Sequence, residues 1–212
     1  HRDLHSFPTR RSSDLSNNFN EINELPQGSR VGSCSLRRIV QLKAIRPDLA
    51  ILDLRGNVNT RLMKLDEGKY DAIILACAGL IRLGFEDRIK QPLDAQTSLP
   101  AVGQGALGIE NRKGDETLRE LIKPLIDSKT MTEVLAERAM NAALEGSCSV
   151  AIAGYATTMG KELLLKGLVG NVESGSILRA ESTGSISQPK ALGELVANQL
   201  LDIGAGKLLE GG

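Results

Sequence analysis

Residues 30–83 read RVGSCSLRRIVQLKAIRPDLAILDLRGNVNTRLMKLDEGKYDAIILACAGLIRL, and this stretch decides the fold. It opens on a short apolar run ending in Val31-Gly32-Ser33. Ile39, Leu42 and Ile45 then recur at helical spacing until Pro47 stops the helix. Residues 50–54 (AILDL) read as a second strand. Val58, Leu62 and Leu65 at i, i+4 and i+7 mark a second helix that Gly68 ends. Residues 71–77 (DAIILAC) form a continuous apolar run, the pattern of a strand buried on both faces, and 78–83 opens a third helix. Three strand–helix units in series predict an α/β fold with a parallel sheet.

Outside this stretch the rhythm changes. Prolines within 91–100 break it, 106–110 reads as a further strand, and 117–126 as a helix. Residues 130–144 form a long helical segment with Leu135, Ala139 and Ala142 on its expected buried face, followed by the small-residue turn Glu145-Gly146-Ser147-Cys148. Beyond it the period switches to two. Residues 149–157, 162–169 and 176–181, separated by glycine-containing turns, predict an antiparallel meander, and 189–203 a covering helix. A boundary near Asp127 therefore separates an α/β part from a smaller α+β part. Residues 1–15 (HRDLHSFPTRRSSDL) show no apolar period and resemble translated sequencing-adapter DNA, so they are expected to stand outside the fold as an artefactual or disordered tail.

Composition limits the chemistry. The 212 residues carry 26 Lys+Arg against 26 Asp+Glu, so no global field draws the chain to nucleic acid or an anionic membrane, and any anion site must be local. No apolar run approaches the ~20 residues that span a bilayer. Three separated cysteines without a CxxC pair indicate neither a disulfide framework nor a zinc site, which points to a reducing cytoplasm. Both histidines, His1 and His5, fall in the tail, so histidine bases and histidine-ligated metals are not expected.

Residues 30–61 hold seven basic and two acidic side chains. Arg37 and Arg38 lie just after the first strand, Arg55 just after the second, and Arg61 in the opening turn of the next helix. That is the carboxyl edge of the sheet, where open α/β folds bind ligands. Cations at helix starts oppose the macrodipole unless an anion sits among them. With hydroxyls from Ser33 and Ser35, the group suits a polycarboxylate or phosphate; the alternative is a solvated basic face with unrelated salt bridges. Gly103-Gln104-Gly105-Ala106-Leu107-Gly108 satisfies G-x-G-x-x-G, but Pro100 precedes it closely and the following residues look extended. A crossover between domains explains it better than a dinucleotide site. Cys148 in its turn is a possible nucleophile or attachment point, or an inert small hydrophobe. Cys77 reads as a core residue, and Cys34 is ambiguous.

GSCSLRR at 32–38, LRGNVNTRLMKLDEG at 54–68, DAIILACAGLIRLG at 71–84, LPAVGQGALGIE at 99–110 and AERAMNAALEGSCSV at 136–150 follow, in order, the motifs of the porphobilinogen deaminase (hydroxymethylbilane synthase) family, which this chain resembles from about Ser16 onward. The resemblance implies a periplasmic-binding-protein-like βα domain with a smaller α+β C-terminal domain. Residues 16–104 would be domain 2, 105–127 the returning segment of an otherwise missing domain 1, and 128–212 the C-terminal domain. It implies a dipyrromethane cofactor held by thioether on Cys148, with Ser35, Arg37, Arg38 and Arg55 binding the cofactor, and Arg61, Arg82 and Gln104 binding substrate. The implied activity is a transferase of tetrapyrrole and heme biosynthesis that condenses four porphobilinogen molecules on that primer with loss of ammonia, through an azafulvene electrophile. The partner is then the small-molecule substrate, with no nucleic acid, membrane or metal, on a cytoplasmic monomer. The family's catalytic aspartate lies in an HSLKD-type segment with no counterpart here, so the chain is expected to be an inactive fragment. The alternative is a non-catalytic anion-binding lobe of periplasmic-binding-protein type.

Overall fold

A computed structural model describes residues 10–144 and 150–210. The first module runs β1 (Ser12–Leu15), β2 (Arg30–Gly32), α1 (Leu36–Ile45), β3 (Ala50–Leu52), α2 (Val58–Asp66), β4 (Ala72–Ala76), α3 (Cys77–Arg82) and β5 (Gln91–Pro92). Its five strands lie in the order β3-β2-β4-β1-β5. The expected units form: β2 pairs in parallel with both β3 and β4. The side chains of β4 alternate between two cores. Ala72 and Ile74 meet Leu42 of α1, while Ile73 and Leu75 meet Leu62 and Leu65 of α2 and Leu80 of α3. Helix α2 starts at Asn57, whose side chain accepts from the Thr60 N–H, and ends before Gly68 at φ +71°.

Two expectations change here. The sheet is mixed rather than parallel, because β1 runs antiparallel to both β4 and β5. The same strand corrects the expectation of a tail at 1–15 for its last four residues, all of which are buried in β1, while residues 1–9 lie outside the described residues. Its backbone carries the pairing, with the carbonyls of Arg11, Ser12 and Asp14 accepting from Cys77, Leu93 and Lys90 at 3.0, 2.9 and 3.1 Å. Ladder bonds use groups every residue has, so a segment with no apolar period can fill the gap between two strands.

Residues 106–110 form no strand, and the expected helix at 117–126 is α4 (Glu116–Ile122) followed by a 3-10 turn. No side chain of α4 is buried. The second module comprises α5 (Ser128–Ala143), β6 (Ala151–Met159), β7 (Glu162–Gly170), β8 (Ile177–Ser185), α6 (Pro189–Asp202) and α7 (Ala205–Glu210). The strands form an antiparallel meander in the order β6-β7-β8, with α5 and α6 packed on one face. Asp127 caps α5, accepting from the Thr130 N–H at 2.6 Å, which explains the boundary. The stripe that α5 buries is Glu133, Ala136, Glu137 and Met140 instead of Leu135, Ala139 and Ala142. Periodicity missed it because two of its members are acidic. Among the described residues no helix is long and apolar enough to cross a membrane.

Candidate functional site

The carboxyl ends of β2, β3 and β4 lead into α1, α2 and α3, so the three helix starts share one edge of the sheet. At the start of α1 lie Arg37 and Arg38, only 7% and 9% exposed. Arg37 donates from Nη1 to the Leu99 carbonyl (2.9 Å) and from Nη2 to Gln104 Oε1 (3.2 Å). Arg38 donates from Nε to Ser12 Oγ (3.1 Å), from Nη1 to the Ile74 carbonyl (3.1 Å) and from Nη2 to the same Gln104 oxygen (3.5 Å). Neither guanidinium pairs with a carboxylate among the described residues. Burial, with the Arg38 charge adding to it, lowers Arg37 to about 9. Burial and then the Arg61 charge lower Arg38 to about 10. Both stay charged at neutral pH. Two adjacent cations, buried without a counterion and placed where the helix dipole already opposes them, are costly unless an anion joins them.

The rest of the expected set divides. Ser35 is the N-cap of α1 and makes no side-chain cap, leaving its hydroxyl for other use. Arg61 donates from Nε to the Gly56 carbonyl (2.8 Å), and its Nη2 lies 3.9 Å from the exposed Cys34 Sγ, which places both at the rim. Arg55 does not join the buried pair: it is exposed and salt-bridged to Asp53 at 2.8 Å. Arg82 is exposed in the last turn of α3, where a cation complements the dipole and needs no bound anion to explain it. Cys77 is a core residue, as expected. Cys148 lies outside the described residues.

Gln104 extends the site. Its Nε2 donates to the Arg10 carbonyl (3.0 Å) and its own carbonyl accepts from Arg10 Nε (3.3 Å). Arg10 then reaches α5, pairing with Glu133 at 3.0 Å and with Glu137, and its guanidinium lies 5.1 Å from the Tyr155 ring. Glu137 is fully buried and also accepts from the N–H groups of Gly103 (2.7 Å) and Ala156 (2.8 Å). The glycine run thus serves as a crossover, with Gly103 and Gly105 at φ +68° and +81°, and no helix opens on it. Arg10, Glu133, Glu137 and Gln41 were not anticipated. The available signal was the i, i+4 spacing of the two glutamates in register with Met140, which continues a single helix face.

Fold and site together define an α/β module with a buried arginine pair at the carboxyl edge of its sheet, joined through a buried polar crossover to a small α+β module. A family model described as "Porphobilinogen deaminase, dipyromethane cofactor binding domain" matches residues 7–120, and one described as "Porphobilinogen deaminase, C-terminal domain" matches residues 131–202. The chain is 61% identical over 196 residues to a porphobilinogen deaminase of Ruthia magnifica subsp. Calyptogena magnifica and 58% identical over 196 residues to one of Vesicomyosocius okutanii subsp. Calyptogena okutanii (strain HA). Each alignment covers 92% of this chain and 64% of the relative. The chain belongs to the porphobilinogen deaminase family.

Proposed function

We propose that this chain carries the cofactor-binding and C-terminal parts of a hydroxymethylbilane synthase, which condenses four porphobilinogen molecules stepwise on a dipyrromethane primer. The observation that carries the reading is the buried Arg37–Arg38 pair with no acidic partner among the described residues, in a chain of this family. A dipyrromethane bears carboxylate arms, and guanidinium forks match carboxylates bidentately, so the donor set fits the group. When bound, the cofactor supplies the nucleophilic pyrrole carbon to which substrate is added.

In this reading Arg37 and Arg38 hold the cofactor's carboxylates, with Ser35 adding a hydroxyl donor. Gln104 fixes both guanidiniums from the crossover, and Arg55, Arg61 and Arg82 meet carboxylates of cofactor or substrate from the rim. Cys148, which follows α5 in the sequence, is the thioether anchor. The α/β module is a lobe of periplasmic-binding-protein type, the protein is a cytoplasmic monomer, and residues 105–127 return to a further domain contained in the longer relatives. Exposed Leu107, Leu121 and Leu125, with no buried side chain on α4, support that return. The carboxylate that would stabilise charge developing on pyrrole nitrogen belongs to that further domain.

Intact mass of the chain, extended to the length of its relatives, tests the assignment. A dipyrromethane-sized adduct that disappears in Cys148→Ser is expected. Its absence, or its persistence in that variant, would favour a lobe that binds anions without thioether chemistry.

A further inference from the structure

On the face of the C-terminal sheet turned away from α5 and α6, residues 94–99 lie over β7 and β8 and border a half-open cavity of about 250 Å³. Gly167 and Ala180 pair across the two strands and form its floor with backbone, since a Cβ added at Gly167 would point the other way, at Met140 Sδ and Leu200. Ala95 and Gln96, with the buried Leu99 behind them, line one side, and Lys166, Arg179 and Glu181 the other.

The segment holds its own shape. Asp94 Oδ1 accepts from the N–H groups of Gln96 and Thr97 at 2.9 and 2.7 Å, and the Ser98 N–H donates to the Asp94 carbonyl at 2.9 Å. Leu99 is tied at both backbone groups, its N–H to Gln41 Oε1 (2.7 Å) and its carbonyl to Arg37 Nη1 (2.9 Å). The cavity is thus a built space and not a gap under a loose loop.

Its charges leave one cation over. Lys166 and Glu181 face each other across the strands at 3.5 Å and neutralise one another. Arg179, two positions along the edge strand on the same face, has no hydrogen-bond or ion-pair partner among the described residues, and burial of part of its side chain lowers its pKa. One guanidinium without a partner, beside Ala95 and the Gln96 amide, matches one carboxylate on a compact body. A phosphate would bring a second negative charge next to Glu181.

We propose that this cavity is an accessory site for a small monocarboxylic acid, its carboxylate held by the Arg179 fork and its body resting against Ala95. Because the Leu99 carbonyl orients Arg37, occupancy is sensed at the arginine pair on the other side of that residue.

Titration of the isotope-labelled full chain with benzoate, and separately with inorganic phosphate, followed by amide resonances, tests this. Benzoate moves Gly167, Ala180 and Leu99 with a Kd of about 1 mM or tighter, a ~4 kcal/mol interaction. Arg179→Met and Arg179→Gln, both on an exposed edge-strand position, weaken it about tenfold, as loss of a charge-assisted pair requires. Lys166→Met leaves it within about twofold. Three results overturn the proposal: unchanged benzoate affinity in both Arg179 variants, shifts confined to Ser35, Arg37 and Arg38, or no shift in the wild type. Equal response of Gly167 and Ala180 to phosphate overturns the carboxylate class.

Discussion

Asp14 lies in β1 opposite Ile74, and neither of its carboxylate oxygens has a hydrogen-bond partner among the described residues. Burial pushes its carboxyl up to about 7, outweighing the lowering effect of the Leu15 N–H. The folded value exceeds the unfolded one, ~3.9, so this group costs no stability below about pH 4. It costs progressively more as pH rises to about 7, reaching roughly 4 kcal/mol at ~1.4 kcal/mol per unit. Asp14→Val is expected to stabilise the chain by about that amount at pH 8 and little by ionisation at pH 4. Urea titrations of both proteins at the two pH values check it, and an equal difference at both would refute it. Taking the difference between the proteins removes Asp48, Asp66 and Asp71, whose arginine partners depress their pKa values and which act in the opposite sense. The arginine pair was legible in the sequence because basic residues crowd one helix start. The misfit at Asp14 was not, since nothing in SSDL announces a buried strand.

Among the elements, α5 and α6 cross most closely at Gly193. A Cβ there would meet the Ala136 carbonyl and come within 2.7 Å of the Ala139 Cβ and 2.8 Å of the Met140 N, all belonging to the other helix. Helix propensity alone favours alanine over glycine by ~1 kcal/mol. The backbone contact outweighs this, and Gly193→Ala is expected to destabilise by about 1–3 kcal/mol as an overpacked crossing. A denaturant midpoint at or above wild type would show that the helices separate freely. The strand–helix units of the first module and the meander of the second could be read from periodicity because each packs its own apolar residues. Residues 106–110 could not: they pair with no strand among the described residues, and the segment is irregular. The stripe of α5 escaped for the opposite reason, since its glutamates are buried by partners remote in sequence.

At the scale of the whole molecule, the two modules meet through polar groups as much as apolar ones. Leu99 packs with Ala153 and Leu168, but the fixed points are the Gly154 N–H on the Pro100 carbonyl (3.1 Å) and the Glu137 carboxylate on Gly103, Ala156 and Arg10. Glu137 therefore bonds the crossover, the second sheet and, through Arg10, the segment leading into the strand that completes the first. Burial raises its pKa while Arg10 and the two N–H groups pull it back, the balance of a buried charge held by its donors. Removing one member of such a set leaves the others buried and unpaired, at about 3–5 kcal/mol. Glu137→Ala strands Arg10 and two backbone donors at the junction, whereas Glu137→Gln keeps an acceptor for one or two of them and costs less. Each module retains its own core in either variant, because the apolar clusters do not include Glu137. Calorimetry is accordingly expected to show one transition for the wild type, a lowered single transition for Glu137→Gln, and two resolved transitions for Glu137→Ala as the modules unfold separately. A single Glu137→Ala transition at the wild-type temperature would mean that the apolar contacts around Leu99 alone couple the modules.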